Sequence, residues 1–202
     1  MLKRIFSSFG KNHWKAYAIS VNAEYIDGGI LHSDQIIISK SFYKIHISLG
    51  TNQRGNAGLV YTRFRCAYTS LSPLYFKIKK RSCFSWLFSQ KKLKCLPNTS
   101  ILYNYSIKFN SEDKICLFLS DSLFIDHLYT LSNFKFLSEK DDGLYGPSFP
   151  SNEHQLCIEI LQEIKSPLEF NKVITILDYA MELLLKHQFL SAEAGTLDYK
   201  KT

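Results

Sequence analysis

Leu59-Val60-Tyr61-Thr62-Arg63-Phe64-Arg65-Cys66-Ala67 is the stretch whose reading decides the fold. Side chains on a strand alternate between its two faces, so Tyr61, Arg63, Arg65 and Ala67 fall on one side and Val60, Thr62, Phe64 and Cys66 on the other. After a loop marked by Ser72-Pro73, the run Tyr75 to Lys79 repeats the pattern. Phe76 and Ile78 point inward, while Lys77 and Lys79 point outward with Tyr75. If the two strands pair, Arg63, Arg65, Lys77 and Lys79 line one surface beside Tyr61 and Tyr75. Basic side chains interleaved with aromatics suit an anionic chain, whose phosphates meet the cations while its bases stack. Lysines and arginines on an outward strand face also keep a sheet soluble without any ligand.

Further strands are legible on both sides. Gln35 to Ser48 carries Ile36, Ile37 and Ile38, a turn at Ser39–Ser41, and then Tyr43, Ile45 and Ile47 alternating with Lys44, His46 and Ser48. That alternation places His46 on the solvent side. Residues 50–58 read as a Gly-rich connection without the Lys-Ser/Thr of a phosphate-binding loop. Ser100 to Phe109, Phe134 to Leu137 and His154 to Ile164 complete the strands. In the first of these, Ile101, Tyr103, Tyr105, Ile107 and Phe109 share a face.

Helices frame the strands. Trp14, Tyr17, Ala18, Val21 and Tyr25 recur at helical spacing within residues 1–27, and Gly28-Gly29 ends the pattern. Two short helices follow Ser111 and Ser120-Asp121, the first with Glu112 and Asp113 where the helix dipole favours negative charge. Ser166-Pro167-Leu168-Glu169 has the composition of a complete capping box with proline at the first helical position. Phe170, Val173, Leu177, Ala180, Met181 and Leu184 then form an apolar stripe. The expected fold is α+β: mainly antiparallel sheet, an N-terminal helix, two short central helices and a C-terminal amphipathic helix packed on the sheet. One domain is expected over 1–190, divisible into lobes of about 1–110 and 111–190, with a disordered tail at 191–202.

The charge is segregated along the chain. Residues 35–111 hold thirteen Lys and Arg and no Asp or Glu, whereas residues 112–202 carry a net charge of −7. A bipolar chain either neutralises itself on folding or presents a basic face to an anionic partner. Trp86, followed by Lys91, Lys92 and Lys94, has the composition of a segment that meets an acidic membrane surface. The five cysteines are widely spaced and read as buried or idle thiols of a reducing compartment. With no secretory signal and no apolar run of bilayer length, the expected location is the cytoplasm, peripheral to the membrane in the alternative reading.

The run Tyr61-Thr62-Arg63-Phe64-Arg65, then Phe76-Lys77-Ile78, then Ile107-Lys108-Phe109-Asn110, resembles a group of uncharacterised bacterial proteins with T-R-x-R, F-x-I and I-K-x-N strand motifs. The resemblance spans about residues 15–190 and implies an N-terminal helix and strand before these motifs and two short helices after them. Where the group has Gly-Asp and Phe-Asp, this chain has Pro97-Asn98 and Ile101-Leu102. No activity is assigned to the group, so the resemblance implies architecture only.

Catalytic motifs are absent from the sequence. It contains no Cys-x-x-Cys, His-Glu-x-x-His or Gly-x-Ser-x-Gly, and Asp126-His127 are adjacent helical residues that do not face each other. The expectation is a non-catalytic interaction or assembly module, binding a protein partner or a second copy of itself. The alternative is an anionic surface, nucleic acid or acidic membrane, bound through the basic middle. No cofactor, metal or small-molecule substrate is implied.

Overall fold

β4 (Leu59–Ser70) and β8 (Glu153–Ile160) run antiparallel near the centre of a nine-stranded sheet, with Phe64 opposite Ile158 and Cys66 opposite Leu156. The computed structural model describes residues 6–29, 33–52, 59–80, 93, 105–140, 149–150 and 152–194. On one side of the central pair lie β3 (Lys44–Asn52), β2 (Gln35–Ser39) and β1 (Glu24–Ile26). On the other lie β7 (Phe134–Glu139), β5 (Phe76–Lys80) and β6 (Tyr105–Phe109). β9 (Leu190–Ala194) pairs with the C-terminal end of β4, past the reach of β3. All these pairings are antiparallel.

The register turns strand alternation into rows that cross the sheet. Ile36, Ile47, Phe64, Ile158, Phe136, Ile78 and Ile107 stand opposite one another in succession on one face. All but Ile107 in that row are buried. A one-residue slip in any strand would move its apolar set to the other face, so burial of this row specifies the register.

Four helices among the described residues cover that face. α4 (Pro167–Lys186) sets Phe170 at the centre of an aromatic cluster with Phe64 beneath it. α1 (Phe6–Ser20) contributes Tyr17, stacked on Phe170 at 4.4 Å, and Trp14, edge-on at 5.5 Å. Over the other half of the sheet, α2 (Glu112–Leu119) and α3 (Ser122–Tyr129) bring Phe118 and Phe124 onto Phe76 and Phe136. Burying one such ring contributes about 1.5–3 kcal/mol. Asp121 accepts a hydrogen bond from the Phe124 amide, capping α3, and its Oδ1 also accepts from the Tyr179 hydroxyl of α4 at 3.1 Å.

Polar pins close the layers. The Trp14 indole donates to the Ile164 carbonyl at 3.1 Å. The Thr62 hydroxyl donates to Gln162 O and accepts from Ile164 N, tying the β8–α4 connection to β4. Asp178 on α4 accepts from Lys40 and Tyr43, anchoring the β2–β3 turn. Burial, then hydrogen bonding to that carboxylate, pushes the Tyr43 phenol far up.

Several expectations are corrected. β4 and β5 do not pair, because β8 and β7 stand between them. The first helix ends at Ser20. Asn22, with φ of 52°, turns the chain so that Tyr25 lies in β1 instead of on the helical stripe. His46 is on the expected face yet buried. Ser166 caps α4 without a side-chain hydrogen bond, so the reciprocal box is not made. Gln162 donates instead to Glu169, at 3.5 Å. Residues 191–194 belong to β9, because β4 outruns β3 and leaves an edge for them to pair with. Cys66 and Cys157 are free and buried, but Cys116 is disulfide-bonded. Linear spacing does not reveal which thiols meet in space.

Candidate functional site

The sheet face opposite the helices carries the charge. Its rows follow from the same register: Ser48, Arg63, Glu159, Lys135, Lys79 and Ser106 in one, and His46, Arg65, Cys157, Leu137, Lys77 and Lys108 in the next. The four basic residues expected to share a face therefore do share one, although two strands separate the arginines from the lysines. The rows are not uniform. At β3, β4 and β8 they are withdrawn from solvent, with Arg65 only 6% exposed. At β5 and β6 the lysines Lys77, Lys79 and Lys108 are exposed, while Ser106, opposite Lys79, is buried.

The withdrawn part holds an ion triad. Arg63 reaches Glu159 Oε1 through Nε at 3.2 Å and Nη2 at 2.9 Å, while Lys135 donates to Oε2 at 2.8 Å. Burial alone would raise the Glu159 carboxyl, but the Lys135 hydrogen bond and the Arg63 charge outweigh it and hold the group below the ordinary carboxylate range. Arg63 also donates to the Tyr61 hydroxyl at 3.0 Å and lies 5.2 Å from its ring centroid. Tyr61 stands opposite Gly50, and a Cβ there would fall on the tyrosine ring. The missing side chain lets the ring lie over β3 and brace the guanidinium.

The open part differs. Lys77 faces Lys108 directly across β5 and β6, and Lys79 faces Lys135 across β5 and β7. Lys80 at the end of β5 is exposed too. Among the described residues, Lys77, Lys79, Lys80 and Lys108 enter no ion pair. Like charges placed directly opposite are destabilising, and among the described residues no carboxylate pairs with the lysines of this corner.

Two expected members of the surface do not join the exposed lysines. Arg63 is committed to Glu159, so it offers no unspent charge. Tyr75 precedes β5 and stacks on His154 at 4.9 Å, its hydroxyl 3.3 Å from Nε2. His154 is paired with Tyr68, on the helix-covered side, so Tyr75 does not stand beside the lysines. Trp86, Lys91, Lys92 and Lys94 lie outside the described residues. Sequence reading missed Lys108 and Lys135 as members of the face, although each sits between aromatic or apolar neighbours whose alternation turns it outward. Glu159 had no local signal, because it gains its role only through pairing with a strand almost a hundred residues away.

The described polar clusters do not assemble a nucleophile and base. The Ser138 hydroxyl donates to the Leu74 carbonyl and meets Tyr68 at 3.1 Å, so its proton is not directed to His154. Asp126 is exposed, and His127 packs beside Tyr179. A cleft of about 60 Å³ near the start of α4 is lined by Leu131, Ile160, Ile164 and Val173 with Gln162 and Glu169. That is room for water only, whereas small-molecule sites run to about 300–1,000 Å³. Among the described residues, no three His, Cys, Asp or Glu side chains converge to hold a metal ion, and no helix is long and apolar enough to cross a membrane.

These features define a class: an α+β domain with a helix-covered apolar sheet face and a charged face whose centre is internally paired and one corner of which exposes lysines that make no ion pair among the described residues. No protein-family model, curated protein or solved structure matches the chain.

Proposed function

We propose that the chain is a non-catalytic interaction module that engages an acidic protein partner through the exposed lysines of β5 and β6. The observation that carries this reading is the in-register placement of Lys77 against Lys108, with no counter-charge among the described residues. The acidic half of the chain contributes Glu159 and Asp178, and these carboxylates go to Arg63, Lys135 and Lys40. Among the described residues, self-neutralisation is therefore local and does not reach the β5–β6 corner. Lysine presents a flexible point charge, suited to carboxylates approaching from solvent.

A fluorescent oligoglutamate titrated at several salt concentrations tests the reading, with an oligonucleotide and anionic vesicles as competing probes. Binding of the acidic peptide should weaken as salt rises, because exposed charges are screened. It should fall by about ten-fold, equivalent to roughly 1.4 kcal/mol, in the Lys77→Glu/Lys108→Glu variant. Preference for the oligonucleotide or the vesicles, or binding unchanged by charge reversal, would overturn the acidic-protein reading.

A further inference from the structure

We infer that the acidic partner is a second copy of this chain, stacked front to back, with the outer face of α2 and α3 of one copy on the β5–β6 lysines of the next. The inference rests on the acidic-partner reading and names the partner's surface. Successive residues of a helix are about 100° apart, so residues two apart face nearly opposite ways. Asp113 and Leu117 each stand two residues from Ile115, which is buried. Asp126 stands two residues from Phe124, and Leu123 two from Ile125, both buried. All four therefore turn away from the sheet and are exposed, Leu117 to 49% and Leu123 to 60%. Asp113 adjoins Leu117 at i,i+4, and Leu123 adjoins Asp126 at i,i+3. Lys114, the basic residue of α2, is spent on Ser72 Oγ at 2.7 Å and on the Pro73 carbonyl. Among the described residues, neither Asp113 nor Asp126 enters an ion pair.

This acidic face and the lysines lie back to back on the same half of the molecule. Phe118 and Phe124, on the inner sides of α2 and α3, pack on Phe76 and Phe136 of β5 and β7. Lys77 and Lys79 leave β5 on its other side, with Lys108 directly across from Lys77. A second copy displaced along the sheet normal therefore brings its carboxylates over the lysines of the first. Lysine suits both parts of that surface, because its methylene stem covers apolar groups while its ammonium reaches for charge. In the stack, the stems of Lys77 and Lys108 cover Leu117 and Leu123 of the neighbouring copy, and the ammonium groups meet Asp113 and Asp126.

Charge also selects the mode of contact. Two lysine faces, or two carboxylate faces, would repel, so a twofold arrangement that sets either surface on itself is disfavoured. The contact that remains joins unlike surfaces from opposite sides of the molecule. Such a heterologous contact leaves one free surface at each end, and it propagates as an open stack unless the rotation between copies closes a ring. The opposite charges of the middle and the end of the chain, which do not meet at this corner within one copy, then meet between copies.

Sedimentation of the full chain over a range of concentrations tests the stack. The parent should form species that grow with concentration. Lys77→Gln/Lys108→Gln and Asp113→Asn/Asp126→Asn should each raise the concentration at which assembly sets in by at least about ten-fold, because each lacks one of the two surfaces. Where both variants are monomeric alone, their equimolar mixture retains one complete interface and should stop at a one-to-one heterodimer. Lys172→Gln, at an exposed position of α4, should assemble as the parent does. Oligoglutamate should dissolve the parent's assemblies by occupying the lysines. A parent that stays monomeric while binding oligoglutamate through Lys77 and Lys108 would overturn self-stacking and leave the acidic-partner reading standing. Assembly unchanged in either double variant would also overturn self-stacking. A parent that neither assembles nor binds oligoglutamate would overturn both.

Discussion

Arg63 and Glu159 stand directly opposite each other on β4 and β8, joined through two guanidinium nitrogens, and Lys135 closes the other carboxylate oxygen. The pair joins the acid-free middle of the chain to its acidic end. Glu159→Gln keeps the shape and removes the charge, leaving Arg63 and Lys135 half-buried without their counter-ion. Hydrogen bonds to charged groups contribute about 1.5–3 kcal/mol, so urea denaturation should show a loss of about that size. A change within about 0.5 kcal/mol would mean that solvent compensates the pair. Because the folded carboxyl lies below its ordinary value, its contribution is present above about pH 4.5 and lost as pH falls through the folded value. The variant should lose less stability than the parent over that acid range.

Gly50 and Tyr61 make a second, independent test. A methyl group at position 50 would displace the tyrosine ring and with it the hydroxyl that receives Arg63. Gly50→Ala should cost about 1–3 kcal/mol through overpacking. In a Tyr61→Ala background that cost should largely vanish, giving a coupling of at least about 0.5 kcal/mol in a double-mutant cycle. Additive effects would show that the ring does not depend on the glycine.

Phe170 joins three layers, touching Trp14 and Tyr17 of α1 and Phe64 of the sheet. Phe170→Ala should destabilise by about 3–5 kcal/mol. Tyr17 provides a local reporter: burial, then the Asp178 charge, pushes its phenol up to about 12. Spectrophotometric titration of the variant should move that phenol back toward 10 if α1 loosens. An unmoved phenol would show that α1 is held by its other contacts.

His154 is buried against Tyr68 and Tyr75. Burial, with a smaller contribution from the Lys140 charge, lowers its pKa below the ordinary 6.5. The folded state thus binds fewer protons here than the unfolded state, and the contribution to stability is full above about pH 6.5. It declines as pH falls from 6.5 toward the lowered folded value. His154→Phe should flatten the stability profile in that window. A profile as steep as the parent's would place the responsible group elsewhere.

Strand alternation made the two sheet faces readable in the sequence. Phe64 and Cys66 separate from Arg63 and Arg65, and Leu156 and Ile158 from Cys157 and Glu159, because the period-two pattern is local. The apolar stripe of α4 was readable for the same reason. Strand order was not. β4 meets β8 across almost a hundred residues, and nothing in Arg63's own neighbourhood names Glu159 as its partner. Local pattern consequently suggests a basic surface across a β4–β5 contact that does not form, one that includes Tyr75 and omits Lys108 and Lys135. His46 illustrates the same gap: alternation gives its face, but burial depends on what lies over that face.

The measurement that bears most directly on the account is a paired determination of stability and acidic-peptide affinity for Lys108→Glu. In the fold, the substitution turns a like-charge pair with Lys77 into an opposite-charge pair. Cross-strand pairs of this kind contribute about 0.2–1 kcal/mol, so thermal or urea unfolding should show a gain of that order. Affinity for the oligoglutamate peptide should fall by up to about ten-fold in the same protein. A more stable fold that binds less is the predicted result. Unchanged affinity, or a fold destabilised by the reversal, would contradict it.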